Sequence, residues 1–390
     1  MPHVEETLQR ASDDAPVDYA ADPSIRVIRD TLADSRELIY FDDAATTLPA
    51  HRKPDSRSLD PRPDTAQLRQ DPLTGEWITI AGSRQNRVML PPAHLDPLAP
   101  QTATNPSEVP DQYDVAVFEN RSPSFGPALG TPGDPHPTGI GLERTQTSVG
   151  RCEVVCFSPE HDGSFATLGD QRARTVIEAW AQRTHELSQL PGIQQVFPFE
   201  NRGEAIGVTL HHPHGQIYAY PYVTPRTLRL HASVAEYGPS LMADILDRER
   251  SGPRVLIAGD HWTAFVPYAA RWPIEVHVLP HRDIPDLAHT TLAERDELAN
   301  LQPRLLRMLD AMYDTPTPYI SAWHQAPVRA ADGIRLMLQI TSPRRAADKM
   351  KFLAGSESAM GAWVGDLVPE NSAAALRDAL SLADEKWSHQ

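Results

Sequence analysis

One pattern is written twice along this chain, and it constrains the fold more than any other feature. Arg151-Cys152-Glu153-Val154-Val155-Cys156-Phe157 reads as a buried strand. Asp170 then offers an N-cap to a helix with Ala173, Val176, Ile177, Trp180 and Leu187 on one face, stopped by Pro191-Gly192. About 120 residues on, Ile274-Glu275-Val276-His277-Val278-Leu279 is again a strand. Thr291-x-x-Glu294 is a capping box, and Leu298, Leu301, Leu305 and Leu309 follow at helical spacing. Pro303 predicts a kink or an early end to this second helix. His212-Pro213-His214-Gly215-Gln216-Ile217, shifted by 123 positions, lands on Arg335-Leu336-Met337-Leu338-Gln339-Ile340. The Gln-Ile endings agree and the chemistry before them differs. The pattern predicts a duplication in which one copy keeps reactive imidazoles and the other has lost them. It implies an α+β protein with antiparallel sheets and packed helices, one sheet in each half (66–222 and 223–390).

Residues 1–65 are rich in Asp, Pro and Ser and read as a loosely draped, poorly ordered acidic extension, apart from the apolar patch Glu37-Leu38-Ile39-Tyr40-Phe41. Residues 91–137 hold eleven prolines and read as extended loop; a loop of that length is more often functional than idle. The formal net charge of −16 argues against a general electrostatic grip on nucleic acid or anionic membranes. No window approaches the ~18 uninterrupted apolar residues of a membrane helix, and the acidic amino terminus lacks the apolar core of a secretory signal. A cytoplasmic protein is the expectation. Cys152 and Cys156, four apart on one strand, would sit roughly 13 Å apart and cannot bridge locally; they read as small apolar fillers.

The dense point of histidine chemistry is His211, His212 and His214, followed by Gln216. Residues 212, 214 and 216 of one strand share a face, with Gly215 leaving room for a substrate to approach the backbone. Aligned imidazoles are natural nucleophiles, bases and metal ligands near neutral pH.

His-Pro-His-Gly-Gln resembles the signature of the galactose-1-phosphate uridylyltransferases, a branch of the histidine-triad superfamily. The resemblance runs from about Leu68 to Gly361. It includes Asp71-Pro72-Leu73-Thr74-Gly75-Glu76-Trp77, Arg84-x-x-Arg87, Phe118-Glu119-Asn120, Ser158-Pro159-Glu160-His161, Asn201-x-Gly203, Trp323-His324 and Lys351-Phe352. It implies two histidine-triad folds in tandem and a homodimer. It also implies exchange of UMP between UDP-glucose and galactose 1-phosphate, by double displacement through a uridylylated His214. Gln216 would hydrogen-bond the phosphoryl oxygens; a carboxamide is neither acid nor base, which helps the intermediate await a sugar phosphate instead of water. Arg84 and Arg87 would clamp phosphate, Asn120 and Asn201 would contact the nucleotide, and Gly207-Val208-Thr209 the phosphates. Lys351, Phe352 and Glu357 would reach the hexose across the dimer. As bare residues the asparagines read as turn-formers and the arginines as a basic turn.

The resemblance also implies a structural zinc held by a Cys-x-x-Cys loop and two histidines. Here Asp96 and Ala99 stand where the cysteines would be, and His161 and His212 match the histidines, with His94 a distant candidate. That leaves a degenerate ligand set of Asp96, His161 and His212. At a second, iron-type site only His324 remains, with Arg335, Met337 and Leu230 in place of the other ligands. Two further readings stay open: a related adenylyltransferase or nucleotide-sugar hydrolase, and a sugar-nucleotide-binding protein without catalysis.

Overall fold

The computed structural model describes residues 19–86, 90–129, 138–139, 141–329 and 333–389. The first half contributes strands β1 (Arg26–Thr31), β2 (Glu37–Asp42), β3 (Gln67–Gln70), β4 (Trp77–Ile80), β5 (Val115–Glu119), β6 (Thr145–Thr147), β7 (Arg151–Cys156), β8 (Gln195–Arg202) and β9 (His214–Tyr220). The second adds β10 (Val255–Ala258), β11 (Trp262–Phe265), β12 (Ile274–Pro280), β13 (Tyr319–His324), β14 (Met337–Ser342), β15 (Arg344–Ala346) and β16 (Lys349–Met350). Helices are α1 (Asp170–Ser188), α2 (Pro225–Tyr237), α3 (Leu241–Arg250), α4 (Leu292–Ala311) and α5 (Pro369–Ser388).

Eleven strands form one antiparallel sheet in the order β1-β2-β5-β7-β9-β8-β13-β14-β12-β11-β10, which reads alike over the five strands on either side of the β8–β13 seam, with β1 an extra edge strand on the first half. A shift of 123 residues carries the start of β7 onto that of β12 and the start of β9 onto that of β14. Register repeats as well. Gln216 faces Val154 and Phe199 in the first half, and Gln339 faces His277 and Ala322 in the second. The expectation of one sheet per half is corrected in one respect: β8 and β13 pair directly, from Tyr319↔Arg202 to Ala322↔Phe199, so the two sheets are continuous.

Alternate residues of each strand enter different layers, as the two-residue period requires. Ile39, Phe41, Val117, Val155 and Ile217 pack with α1 and α4. Phe165 stacks on Trp180 at 5.4 Å between ring centroids, and Phe157 meets both rings edge-on. Leu38, Tyr40, Phe118, Val154 and Cys156 build a second cluster on the opposite face. Both cysteines are free and buried. Burial pushes the Cys152 thiol up to about 12, so it behaves as an apolar filler.

Three expectations change. The stretch read as a draped extension supplies β1 and β2, which pair with each other and continue onto β5; residues 1–18 lie outside the described residues. The apolar patch at 37–41 is β2 itself, and its Asp- and Pro-rich flanks concealed how short a strand this edge needs. Arg36, fully buried, fastens it by donating to the Glu119 carbonyl (2.9 Å) and to Glu108 (2.5 Å). The proline-rich stretch likewise contains β5, every residue of which is buried. Pro303 lies inside α4, which runs its full 20 residues from the capping box at Thr291 and Glu294. Packing against α1 and α5, including an Arg304–Asp384 pair at 2.6 Å, outweighs one missing backbone bond.

Because β2 is an integral strand, Ile39→Ala should destabilise the protein by about 2–5 kcal/mol. Denaturant unfolding measures this; an unchanged midpoint would mean the hairpin is only draped on the sheet.

Candidate active site

β9 presents His214, Gln216, Tyr218 and Tyr220 to the open face of the sheet, while Gly215, Ile217 and Ala219 are buried beneath. Gly215 therefore serves the core and not the substrate. A Cβ there would sit 2.9 Å from the Phe157 ring and 2.9 Å from the Phe199 carbonyl. His212 precedes the strand and turns aside, so the expected row of three becomes a pair, His214 and Gln216, with His212 below as their support.

His214 Nδ1 lies 2.7 Å from the carbonyl oxygen of His212. A carbonyl only accepts, so Nδ1 carries the proton and Nε2 keeps its lone pair. Burial lowers the pKa of His214 below 6.5; the carbonyl bond opposes this, the His212 ring adds to it and Asp96 opposes it, and the net shift is downward. The ring is neutral at pH 7, as a nucleophile must be.

His212 is held at both ends. Its Nδ1 lies 2.7 Å from Asp96 Oδ2, and its Nε2 lies 2.7 Å from the Ser158 carbonyl and 3.1 Å from the Tyr113 hydroxyl. His161 Nδ1 reaches the same Asp96 oxygen at 2.7 Å, and the other carboxylate oxygen accepts the Leu98 amide at 2.9 Å. Burial alone would raise the pKa of Asp96. The His212 bond and charge, the Leu98 amide and His161 outweigh it and hold the carboxyl down at about 2.

The remaining candidates divide. Arg84 donates to the Ser122 carbonyl at 3.2 Å, and Asn120 Oδ1 accepts the Ser122 amide at 2.9 Å, so these two meet at one turn. Arg87 lies outside the described residues. Asn201 is the penultimate residue of β8, paired with Ile320 across the seam. Gly207 takes φ 84°, a left-handed conformation that favours glycine, and turns the chain into Val208 and Thr209, whose carbonyl binds the Leu90 amide. Lys351, Phe352 and Glu357 belong to the other half. Lys351 Nζ binds the Arg271 carbonyl at 3.2 Å and lies 3.6 Å from Glu357, while Phe352 is exposed. No hydrogen bond or ion pair among the described residues joins the three to β9.

An aromatic surface went unread in the sequence. Phe199 meets Tyr218 edge-on at 5.1 Å and stacks on Phe197 at 5.1 Å, and Phe125 lies 4.9 Å from Tyr220. The signal was the alternation Phe197-x-Phe199 and Tyr218-x-Tyr220-x-Tyr222, in phase with His214 and Gln216.

Asp96, His161 and His212 are the only trio of metal-capable side chains that converges among the described residues. A structural zinc needs four closed ligands. Ala99 offers no donor, His94 is exposed on the preceding turn, and each imidazole already bonds the carboxylate directly. This set does not complete a zinc site, and no step below uses a metal. At the second expected site His324 Nε2 bonds Gln339 Oε1 at 2.9 Å, a structural contact.

Sequence comparison decides the family. A model described as the galactose-1-phosphate uridyl transferase N-terminal domain matches residues 59–224, and its C-terminal counterpart matches 228–389. The chain belongs to the galactose-1-phosphate uridylyltransferase family. Like the family's named members, it is a transferase. Strands β1 and β2 lie ahead of the matched span. A galactose-1-phosphate uridylyltransferase of Streptomyces lividans is 45% identical over 304 residues, 76% of this chain and 79% of its own. That of Thermotoga maritima is 31% identical, over 80% of this chain and 98% of its own. A solved structure titled as a uridylyltransferase superposes with TM-score 0.71 at 31% identity, covering 81% of this chain and 99% of its own. An Arabidopsis thaliana ADP-glucose phosphorylase shares the fold at TM-score 0.61 and 21% identity. Among the described residues no helix is long and apolar enough to cross a membrane.

With the cluster closed by hydrogen bonds, exhaustive chelation should leave the melting temperature unchanged. Asp96→Ala, which strips a buried imidazole of its partner, should cost about 1–3 kcal/mol. Thermal melts of both samples decide; a chelator effect as large as the substitution's would show that an ion holds the site.

Proposed function

We propose that this enzyme exchanges UMP between UDP-glucose and galactose 1-phosphate through a covalent uridylyl group on His214. The observation that carries the reading is the His214 Nδ1–H bond to the His212 carbonyl, which leaves Nε2 as the free lone pair. Nε2 attacks the α-phosphorus of UDP-glucose as the bond to the bridging oxygen breaks, and glucose 1-phosphate departs with the electron pair. The imidazolium-like charge that develops on the ring is met at Nδ1–H by the carbonyl, which needs no rearrangement to do so. A phosphate oxygen of galactose 1-phosphate then attacks the same phosphorus, the N–P bond breaks, and its electrons return to Nε2. UDP-galactose leaves, and the ring is neutral again.

Gln216, one step of two along the strand, makes no side-chain hydrogen bond among the described residues and supplies an N–H donor to the phosphoryl oxygens. Arg84 and Asn120 stand at the phosphate and nucleotide end. Asn201 and Gly207-Val208-Thr209 border the same face. Lys351, Phe352 and Glu357, remote from β9 in one chain, contact the hexose in a homodimer, where they serve the partner's site. An acidic chain acting on soluble nucleotide sugars suits the cytoplasm.

Incubation with UDP-glucose labelled in the α-phosphate should leave acid-labile label on the wild type and none on His214→Ala, whose exchange rate falls by at least about 10³-fold. Label retained from ADP-glucose and not from UDP-glucose would assign an adenylyltransferase instead.

Because the folded pKa of His214 lies below 6.5, the nucleophile is unprotonated at neutral pH and is lost only as pH falls through the lowered value. Single-turnover uridylylation should be flat from about pH 8 to 6.5 and decline below. An inflection above 6.5 would contradict the assignment.

A further inference from the structure

The second half carries a cavity of about 670 Å³ over the face of the sheet that holds His214 in the first. Its floor is the duplicated counterpart of the catalytic strand. Met337 opens β14 as His214 opens β9, and Gln339 stands at the position of Gln216. A thioether has neither the N–H nor the recoverable lone pair that His214 uses, so no second transfer occurs here. Two polar groups of the lining, Glu275 and His324, are already engaged by Gln339: its Nε2 donates to Glu275 at 2.6 Å, and its oxygen lies 2.9 Å from His324 Nε2.

The walls are cationic in a chain of net charge −16. Six arginines line the cavity against Glu249 and Glu275. Arg254 pairs with Glu249 and Glu370, and Arg335 with Asp283. Arg226, Arg229, Arg248 and Arg271 are exposed and make no side-chain ion pair or hydrogen bond among the described residues. The surrounding protein and then the charge of Arg271 work against the charge of Arg226. Burial, and next Arg226, push His324 down to about 3. Like charges gathered over a low-dielectric wall make a potential that an anion relieves. Opposite them Met242, Phe265, Leu279 and Met337 form an apolar wall, with Leu230 packed against it. Guanidinium forks match phosphate oxygens two at a time, and an apolar wall beside them suits an organic group on the same molecule.

We propose that this cavity is a non-catalytic binding site for a phosphorylated small molecule, its phosphate held by Arg226 and Arg271 and its organic part laid against Leu230, Phe265 and Met337.

Calorimetric titration of the full-length enzyme with inorganic pyrophosphate tests this. The wild type and His214→Ala should share a saturable binding event. It should weaken at least about tenfold in R226Q/R271Q, the loss of one or two charge-assisted contacts, with the exchange rate at saturating substrates unchanged. R229Q/R248Q provides a second pair, and all four side chains reach solvent, so melting temperatures should hold. Weakening in R226Q/R271Q larger than in R229Q/R248Q supports the site; weakening confined to R229Q/R248Q overturns the assignment of the phosphate to Arg226 and Arg271. Titrations of both pairs that superimpose on the wild type, or no binding by the wild type at all, would overturn it.

Discussion

The carboxylate of Asp96 is the contact on which the arrangement of His212 and His214 rests. One of its oxygens takes two imidazoles, His212 and His161, and the other takes the Leu98 amide. These bonds help hold its carboxyl down at about 2, so it is ionised at neutral pH and the bonds are charge-assisted. They tie the proline-rich loop to the segment just before β9, and Tyr113 reinforces the tie through the Leu98 and Ser158 carbonyls at 2.7 and 2.9 Å. With the His212 ring fixed, its backbone carbonyl is fixed too, and that carbonyl chooses which nitrogen of His214 bears the proton. A loop residue thus reaches the His214 ring through two intermediates, the His212 imidazole and the His212 carbonyl.

The seam between β8 and β13 explains why the second half persists although its motif has decayed. Glu200 pairs with Gly215 across the β8–β9 ladder and accepts a hydrogen bond from Tyr319 of the other half at 2.8 Å. Burial pushes Glu200 up to about 7, against the pull of the Tyr319 bond and Arg202. The tyrosine is fully buried and Arg202 lies over its ring at 5.6 Å. Removing the second half would leave β8 an open edge and this carboxyl without its Tyr319 partner, so the sheet beside β9 depends on both copies.

What the sequence revealed and what it hid follow from how far each cause reaches along the chain. The duplication was legible because periodicity and caps are local: Thr291 and Glu294 bond each other three residues apart, and the α1 and α4 faces repeat within a few turns. His214 and Gln216 were legible because a strand sets alternate side chains on one side. The two-strand hairpin at 26–42 and β5 at 115–119 were hidden because neither is long enough to show a period, and each is a strand only by pairing with partners far away in the chain. The role of Gly215 was misread for a similar reason. Which face of β9 meets Phe157 depends on α1 packing, and alternation alone does not say which side is core. Asp96 was legible only as the substitute for a lost metal ligand; that it bonds both histidines directly is a fact of three dimensions.

The two halves share a register and still differ in kind, and the glutamine they have in common shows why. Gln339 spends both ends of its carboxamide on Glu275 and His324, so it braces two side chains that line the cavity. Gln216 occupies the same strand position with Val154 and Phe199 beside it, where His277 and Ala322 flank Gln339, and neither neighbour offers a side-chain partner. Its donor therefore faces outward beside the lone pair of His214. Identity of side chain does not decide function here; the polar capacity left unsatisfied toward an open face does. In the first half that capacity is one imidazole nitrogen and one carboxamide, suited to a phosphorus that must be attacked and held. In the second it is a set of guanidinium groups, suited to a phosphate that is only held.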